Sequence, residues 1–228
     1  MALTTGLVSY WKLDGNSNDS VGSNNGSDTN VTYDNAYGKI NQGALGNGSS
    51  TIINFGNSTS LKLNGNLSMS MWIYPTANSV GYVFGRTSNV SPYGMYYFYL
   101  GASGENFTIA LSLFNSGGGQ VIATSAAFPL NAWYHVVATV SGTAMTVYVN
   151  GVSSGTKTFS GTRSFTDHNN WAFCRGTDGV ADYVGRLDEV GIWSRALTTD
   201  EITELYNAGA GLQYPFTTAN TTNFFQFF

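Results

Sequence analysis

Charge is scarce in this chain. Of 228 residues, 10% are Asp, Glu, Lys or Arg, and nine basic residues face thirteen acidic ones, for a formal net charge of −4. No basic stripe is present to neutralise phosphates, which argues against nucleic-acid binding. A single cysteine, Cys174, excludes an intrachain disulfide. Its setting, Trp171-Ala172-Phe173-Cys174, predicts a buried and inert thiol. The two histidines, His135 and His168, lie in unlike contexts, and no Cys/His cluster suggests zinc. No run approaches the roughly 20 apolar residues of a membrane span. The opening Met1-Ala2-Leu3-Thr4-Thr5 has neither a basic region nor an apolar core of the secretory type. Either a signal lies outside this chain or the protein leaves by another route, release with a virus particle being one.

Asn, Ser, Thr and Gly are what the chain has instead, and they predict a surface solvated by neutral hydrogen bonds. Short runs rich in β-branched and aromatic residues recur between turn residues. Leu67 to Pro75 alternates, with Leu67, Met69, Met71 and Ile73 on one side. Trp133 to Val140 and Met145 to Asn150 form a hairpin across Ser141-Gly142-Thr143. Further strands are expected at Leu7 to Leu13, Ile40 to Leu45, Ser50 to Phe55, Tyr82 to Arg86, Met95 to Leu100, Phe107 to Phe114, Gln120 to Thr124 and Trp171 to Arg175. Asp14 to Tyr37 reads as one long polar loop, a length usually functional or metal-organised. The chain is organised around Tyr183 to Tyr206, a strand running into one short helix. Thr198 and Glu201 form a capping-box pattern, and Gly209 supplies a stop. The fold class is all-β: a two-sheet antiparallel jelly-roll sandwich with one short C-terminal helix.

Three segments carry a family resemblance. GRLDEVGIWSRALTTDEITELY (185–206), GLVSYWKLDGN (6–16) and the Trp133-Tyr134-His135-Val136-Val137 hairpin resemble the closing, opening and central segments of laminin-G-like, concanavalin A-like lectin domains. The order agrees and the span is about residues 5 to 210, so residues 1–211 are expected to form the domain and 212–228 a Phe-rich tail. The resemblance implies structural calcium between the opening loop and the Leu-Asp-Glu-Val strand, with Asp14, Asn16, Asp19 and Asp188 as ligands and Gly22 or Asn24 through backbone. It also makes His135 a framework residue. The loop Asp14-Gly15-Asn16-Ser17-Asn18-Asp19 is itself dense in the oxygen ligands calcium takes.

Catalytic readings fail on spacing. Gly151-Val152-Ser153-Ser154-Gly155 matches a nucleophile elbow in letters, yet it lies between two strand-like runs, whereas the elbow needs a strand-to-helix turn. Arg186 to Gly191 lacks the E-x-D-x-x-E spacing of sandwich glycosidases. A non-catalytic adhesion or recognition module, glycan-binding and placed outside the cell or on a virion surface, is therefore expected. The alternative is a structural self-assembling subunit, and a glycan-cleaving enzyme ranks behind both. Aromatic crowding nominates Tyr97, Tyr99 and Trp171 with Asn169 as ligand contacts. The tail places Phe224, Phe225, Phe227 and Phe228 within five residues and predicts burial, on its own domain or between copies as an assembly device.

Overall fold

The computed structural model describes residues 1–85, 96–115, 119–163, 170–174 and 182–217. Fifteen short strands pack as two antiparallel sheets: β1 (Leu7–Trp11), β2 (Ser27–Thr29), β3 (Thr32–Asp34), β4 (Gly43–Asn47), β5 (Ile52–Asn54), β6 (Leu67–Pro75), β7 (Gly81–Gly85), β8 (Tyr96–Ser103), β9 (Asn106–Phe114), β10 (Gln120–Thr124), β11 (Tyr134–Ser141), β12 (Ala144–Val149), β13 (Val152–Thr158), β14 (Ala172–Phe173) and β15 (Val184–Trp193). The first sheet runs β13-β12-β11-β6-β15-β4-β3, with β1 also paired to β15. The second runs β10-β9-β8-β7-β14-β5-β2. Among the described residues one α-helix, α1 (Thr199–Tyr206), follows β15. The fold is the expected sandwich.

Alternation builds the core. Leu67, Met69, Met71 and Ile73 of β6 point inward and are fully buried, as are Val136, Ala138 and Val140 of β11. From the other sheet come Tyr96, Phe98 and Leu100 of β8 and Ile109, Leu111 and Leu113 of β9. An aromatic knot closes one end, with Trp11 4.5 Å from Phe55 and 5.4 Å from Phe173 between ring centres. Cys174 is 1% exposed and burial pushes its thiol up to about 12, so it is the inert thiol expected. The G-x-S-x-G letters start in the hairpin turn after β12, where Gly151 takes the left-handed φ of 82°, and run on into strand β13.

The polar stretch 14–37 contains more structure than its composition predicts. Two exposed three-residue strands, β2 and β3, pair at the sheet edges with β5 and β4. Neither has the apolar alternation that would announce it: β2 is exposed throughout and β3 half-buries Tyr33 alone. Side chains brace the stretch: Asp28 accepts from Ser17 Oγ at 2.5 Å and from Tyr33 Oη at 2.8 Å.

Helix α1 seals the outer face of the first sheet. Its Ile202 and Leu205 join Leu3, Val137, Trp193 and Leu197 in a second apolar cluster, with Leu212 and Phe216 against it. The capping box is formed: Thr198 Oγ1 accepts from Glu201 N, and Glu201 Oε2 accepts from Thr198 N at 2.9 Å. Arg195 adds a two-pronged bond, 2.7 Å to each Glu201 oxygen, while donating to Thr5 O and Ala2 O of the N-terminal segment. Burial alone would raise the Glu201 carboxyl, but Arg195 and the Thr198 N–H bring it down to about 2. Asn207, at φ 48°, ends the helix two residues before the expected Gly209. Glu201→Ala should cost about 1.5–3 kcal/mol in urea unfolding at neutral pH, since it removes charged hydrogen bonds and leaves Arg195 unmatched. That Glu201 contribution is present above its unfolded pKa, near 4.5, and lost as pH falls toward about 2.

Candidate functional site

Two regions concentrate chemistry: the acidic end of β15 and the outer face of the second sheet.

Strict alternation along β15 would send Asp188 and Glu189 to opposite faces. A bulge between Asp188 and Gly191, with Glu189 at φ 51°, prevents this. Leu187 and Val190 go to the core, and both carboxylates remain at the outer face, 0% and 3% exposed. Asp188 Oδ2 accepts from Lys39 N at 2.7 Å and Ile40 N at 2.9 Å, and Oδ1 accepts from Glu189 N. Glu189 accepts from Tyr10 Oη and from Gln213 Nε2, each at 2.5 Å. The same Gln213 amide reaches Asp14 Oδ2 at 2.9 Å. Burial raises both acids, Asp188 to about 9 and Glu189 to about 8, with repulsion from Glu189 adding to the Asp188 shift.

The other expected calcium ligands are engaged in the same manner. Asp19 Oδ1 accepts from Tyr10 N, Val21 N and Gly22 N, and Oδ2 from Asn24 N, all at 3.0–3.1 Å. Asp14 Oδ1 accepts from Gln42 N at 3.0 Å. Asn16 Oδ1 accepts from Asn18 N at 2.9 Å, and the Asn24 carbonyl takes the Trp11 indole N–H at 2.8 Å. Calcium needs six to eight oxygens, but here N–H donors surround those oxygens. Among the described residues no group of three or more His, Cys, Asp or Glu side chains is placed to hold a metal. In this arrangement the same side chains brace the opening loop through backbone N–H groups.

On the second sheet, β8 alternation sends Tyr97 and Tyr99 outward, away from Tyr96 and Phe98. Register places Tyr82 of β7 opposite Tyr99, and Ser112 of β9 opposite Tyr97. The rings gather: Tyr82 to Tyr97 is 5.0 Å, Tyr97 to Tyr99 5.4 Å and Tyr82 to Tyr99 6.1 Å. Gln120 of β10 donates to Tyr97 Oη and to Ser112 Oγ. Tyr97 is 7% exposed and forms the packed centre, while Tyr82 and Tyr99 are half-buried and open to solvent. Burial raises the Tyr97 and Tyr99 phenols, so both remain neutral hydroxyls.

Trp171 requires a correction. It is fully buried, stacked on Phe84 at 5.8 Å and 4.7 Å from Tyr96, so no ring face is open to a ligand. Asn169, His168 and the four tail phenylalanines Phe224, Phe225, Phe227 and Phe228 lie outside the described residues. Tyr82 and Gln120 are not singled out by the sequence; alternation in β7 and β10 is the signal available, but cross-strand register is needed to bring them to Tyr97. His135 is buried at 2% exposure, with Nε2 2.8 Å from Ser70 Oγ and its ring between Trp72 and Tyr206. Burial pulls its pKa down to about 3, as suits a neutral framework residue.

A family model described as the concanavalin A-like lectin/glucanases superfamily matches residues 47–203, more than half of the chain. The chain belongs to this superfamily. Among curated proteins, the zebrafish (Danio rerio) adhesion G-protein coupled receptor V1 is 26% identical over 152 residues, covering 64% of this chain and 2% of the receptor. The match is thus to a small part of that receptor. Among solved structures, domain 4 of AbnA, a GH43 extracellular arabinanase from Geobacillus stearothermophilus in complex with arabinotriose, superposes with a TM-score of 0.70 at 22% identity, covering 87% of this chain and 97% of that one. The binding domain of botulinum neurotoxin DC in complex with SialylT gives 0.69 at 14% identity, covering 91% of this chain and 52% of that one. At these identities the likeness to solved structures establishes the fold alone. No helix among the described residues is long and apolar enough to cross a membrane.

Proposed function

We propose that the protein is a non-catalytic recognition module that binds glycans through the aromatic face of the second sheet. The observation that carries this reading is the gathering of Tyr82, Tyr97 and Tyr99 beside the Gln120 amide. Sugars present C–H patches to ring faces and hydroxyls to amides, and this face supplies both in a rigid setting. A neighbour of the same fold, whose structure is in complex with arabinotriose, supports the ligand class. The adhesion-receptor match supports a place outside the cell. A virion surface, as on a phage fibre or capsid decoration, is the finer placement, supported by the polar, charge-poor composition.

A glycan array tests the reading. Tyr99→Ala should weaken any hit by about tenfold, as loss of a stacking ring is worth roughly 0.5–1.5 kcal/mol beyond its area. Tyr97→Phe should weaken it less, through the lost Gln120 contact. A blank array, joined to self-association in ultracentrifugation, would sink the glycan reading in favour of assembly. Release of reducing sugar would overturn the non-catalytic one.

Two further parts of the proposal rest on other features. Calcium at Asp14, Asn16, Asp19 and Asp188 is supported by the resemblance, and it requires those carboxylates to exchange N–H donors for a cation. Assembly through Phe224, Phe225, Phe227 and Phe228 is supported by the apolar content of the tail.

A further inference from the structure

Part of the outer face of the first sheet is covered by α1 and the segment 212–216. Another part carries a cross-strand row. Arg186 of β15 stands opposite Leu45 of β4 on one side and Tyr74 of β6 on the other. Tyr134 of β11 pairs with Ile73, which places Trp133 beside Tyr74, with ring centres 5.6 Å apart in an edge-on contact. The Arg186 guanidinium lies over the Tyr74 ring at 4.4 Å and faces the Tyr37 ring at 5.8 Å. Arg186, Tyr74, Trp133 and Tyr37 are all half-buried.

The guanidinium is unusual in what it does not do. Its side chain makes no hydrogen bond or ion pair with any described residue, so the two rings fix its plane while its N–H donors stay uncommitted. The other two described arginines behave otherwise: Arg195 and Arg163 are both tied to protein oxygens. A second cation stands nearby, the Lys39 ammonium, 4.6 Å over the Trp72 ring on the same face. Asp188, also on that face, is turned under the 39–42 loop and accepts from the Lys39 and Ile40 N–H groups. A patch led by two cations is thus set into a chain of net charge −4.

We propose that this row is a second ligand site, specific for a carboxylated sugar, distinct from the tyrosine face of the opposite sheet. A planar guanidinium with free donors matches a carboxylate in a two-pronged bond. Trp133 and the edge of Tyr74 supply the apolar surface on which the sugar ring packs. Arg186 and Trp133 are two strand spacings apart, about 10 Å, the span of a short oligosaccharide. A free carboxylate would use Arg186 and leave the aromatic part of the row unused, and an acidic peptide would have no need of the half-buried indole beside it.

The test is calorimetric titration of the full chain with oligogalacturonate and with sialyllactose, against lactose as the neutral control. The acidic sugars should bind, weaken as salt rises, and lose about tenfold or more in Arg186→Gln, as expected for a two-pronged charged contact. Arg186→Lys should fall between, and Trp133→Ala should weaken sugar binding in its own right should Arg186→Gln fail to fold. Tyr99→Ala should leave acidic-sugar binding unchanged, which separates this site from the tyrosine face. Absence of acidic-sugar binding, equal binding of lactose, or full binding in folded Arg186→Gln and Trp133→Ala would overturn it. So would a polyglutamate peptide that binds through Arg186 where the sugars do not.

Discussion

Raising the pH should destabilise the protein, and the pair Asp188 and Glu189 should account for most of the loss. Both carboxyls are buried and held well above the usual range, at about 9 and about 8. The unfolded chain releases these protons near pH 4. Between that pH and about 9 the folded state therefore binds more protons than the unfolded one, and stability falls as pH rises. The contribution is complete below pH 4 or so and gone once both folded acids have ionised. Each pH unit over which the folded chain holds one proton more than the unfolded chain costs about 1.4 kcal/mol. Each kcal/mol so lost lowers Tm by roughly 2–4 °C for a chain of this size. Thermal unfolding from pH 5 to pH 9 or so should show this decline, and Asp188→Asn with Glu189→Gln should flatten it. A curve that is level or rises over that range would exclude the protonated pair. The same titration decides calcium. An ion bound at Asp188 would hold that carboxylate ionised and oppose the decline, so a curve unmoved by millimolar calcium chloride would end the calcium proposal.

The sandwich was readable because its central strands are rich in apolar and β-branched residues. β6 and β11 are buried along nearly their whole length and β12 buries every second residue, and the capping box before α1 is written in Thr198 and Glu201. The edge strands β2 and β3 were not readable, and of β13 only the end showed as strand-like, since exposed strands need no apolar period. Trp171 shows a different limit. It precedes a two-residue strand, β14, too short for alternation to say which face the indole takes, and core contacts with Phe84 and Tyr96 decided it. The β15 bulge was hidden for a related reason. The contacts that hold Glu189 on the outer face come from Tyr10 and Gln213, at opposite ends of the chain. The candidate sites share this character: Tyr82 with Tyr99, and Arg186 with Tyr74 and Trp133, become neighbours through register alone.

Removing Thr217 to Phe228 should change the state of association. The described chain reaches Thr217 after docking on the first sheet, where Phe216 stacks at 6.4 Å on Trp193 and meets Tyr10 edge-on at 5.3 Å. That docking uses Leu212 and Phe216, which the deletion keeps. Beyond it come a polar run, TTANTTN, and then Phe224, Phe225, Phe227 and Phe228. Burying each of those rings is worth roughly 1.5–3 kcal/mol, so the four together favour any apolar surface within reach by several kcal/mol. A seven-residue spacer can cross up to about 25 Å when extended, enough to pass from one copy to the next. If the tail links copies, sedimentation of the full chain should show a concentration-dependent oligomer that the truncated chain lacks. The truncated chain should also have a Tm independent of protein concentration, because its stability is no longer coupled to association. A tail folded on its own domain predicts the opposite pair of results: a monomer in both cases and a lower Tm after truncation. Equal mass and equal Tm for the two proteins would show that the phenylalanines have no binding role in either place.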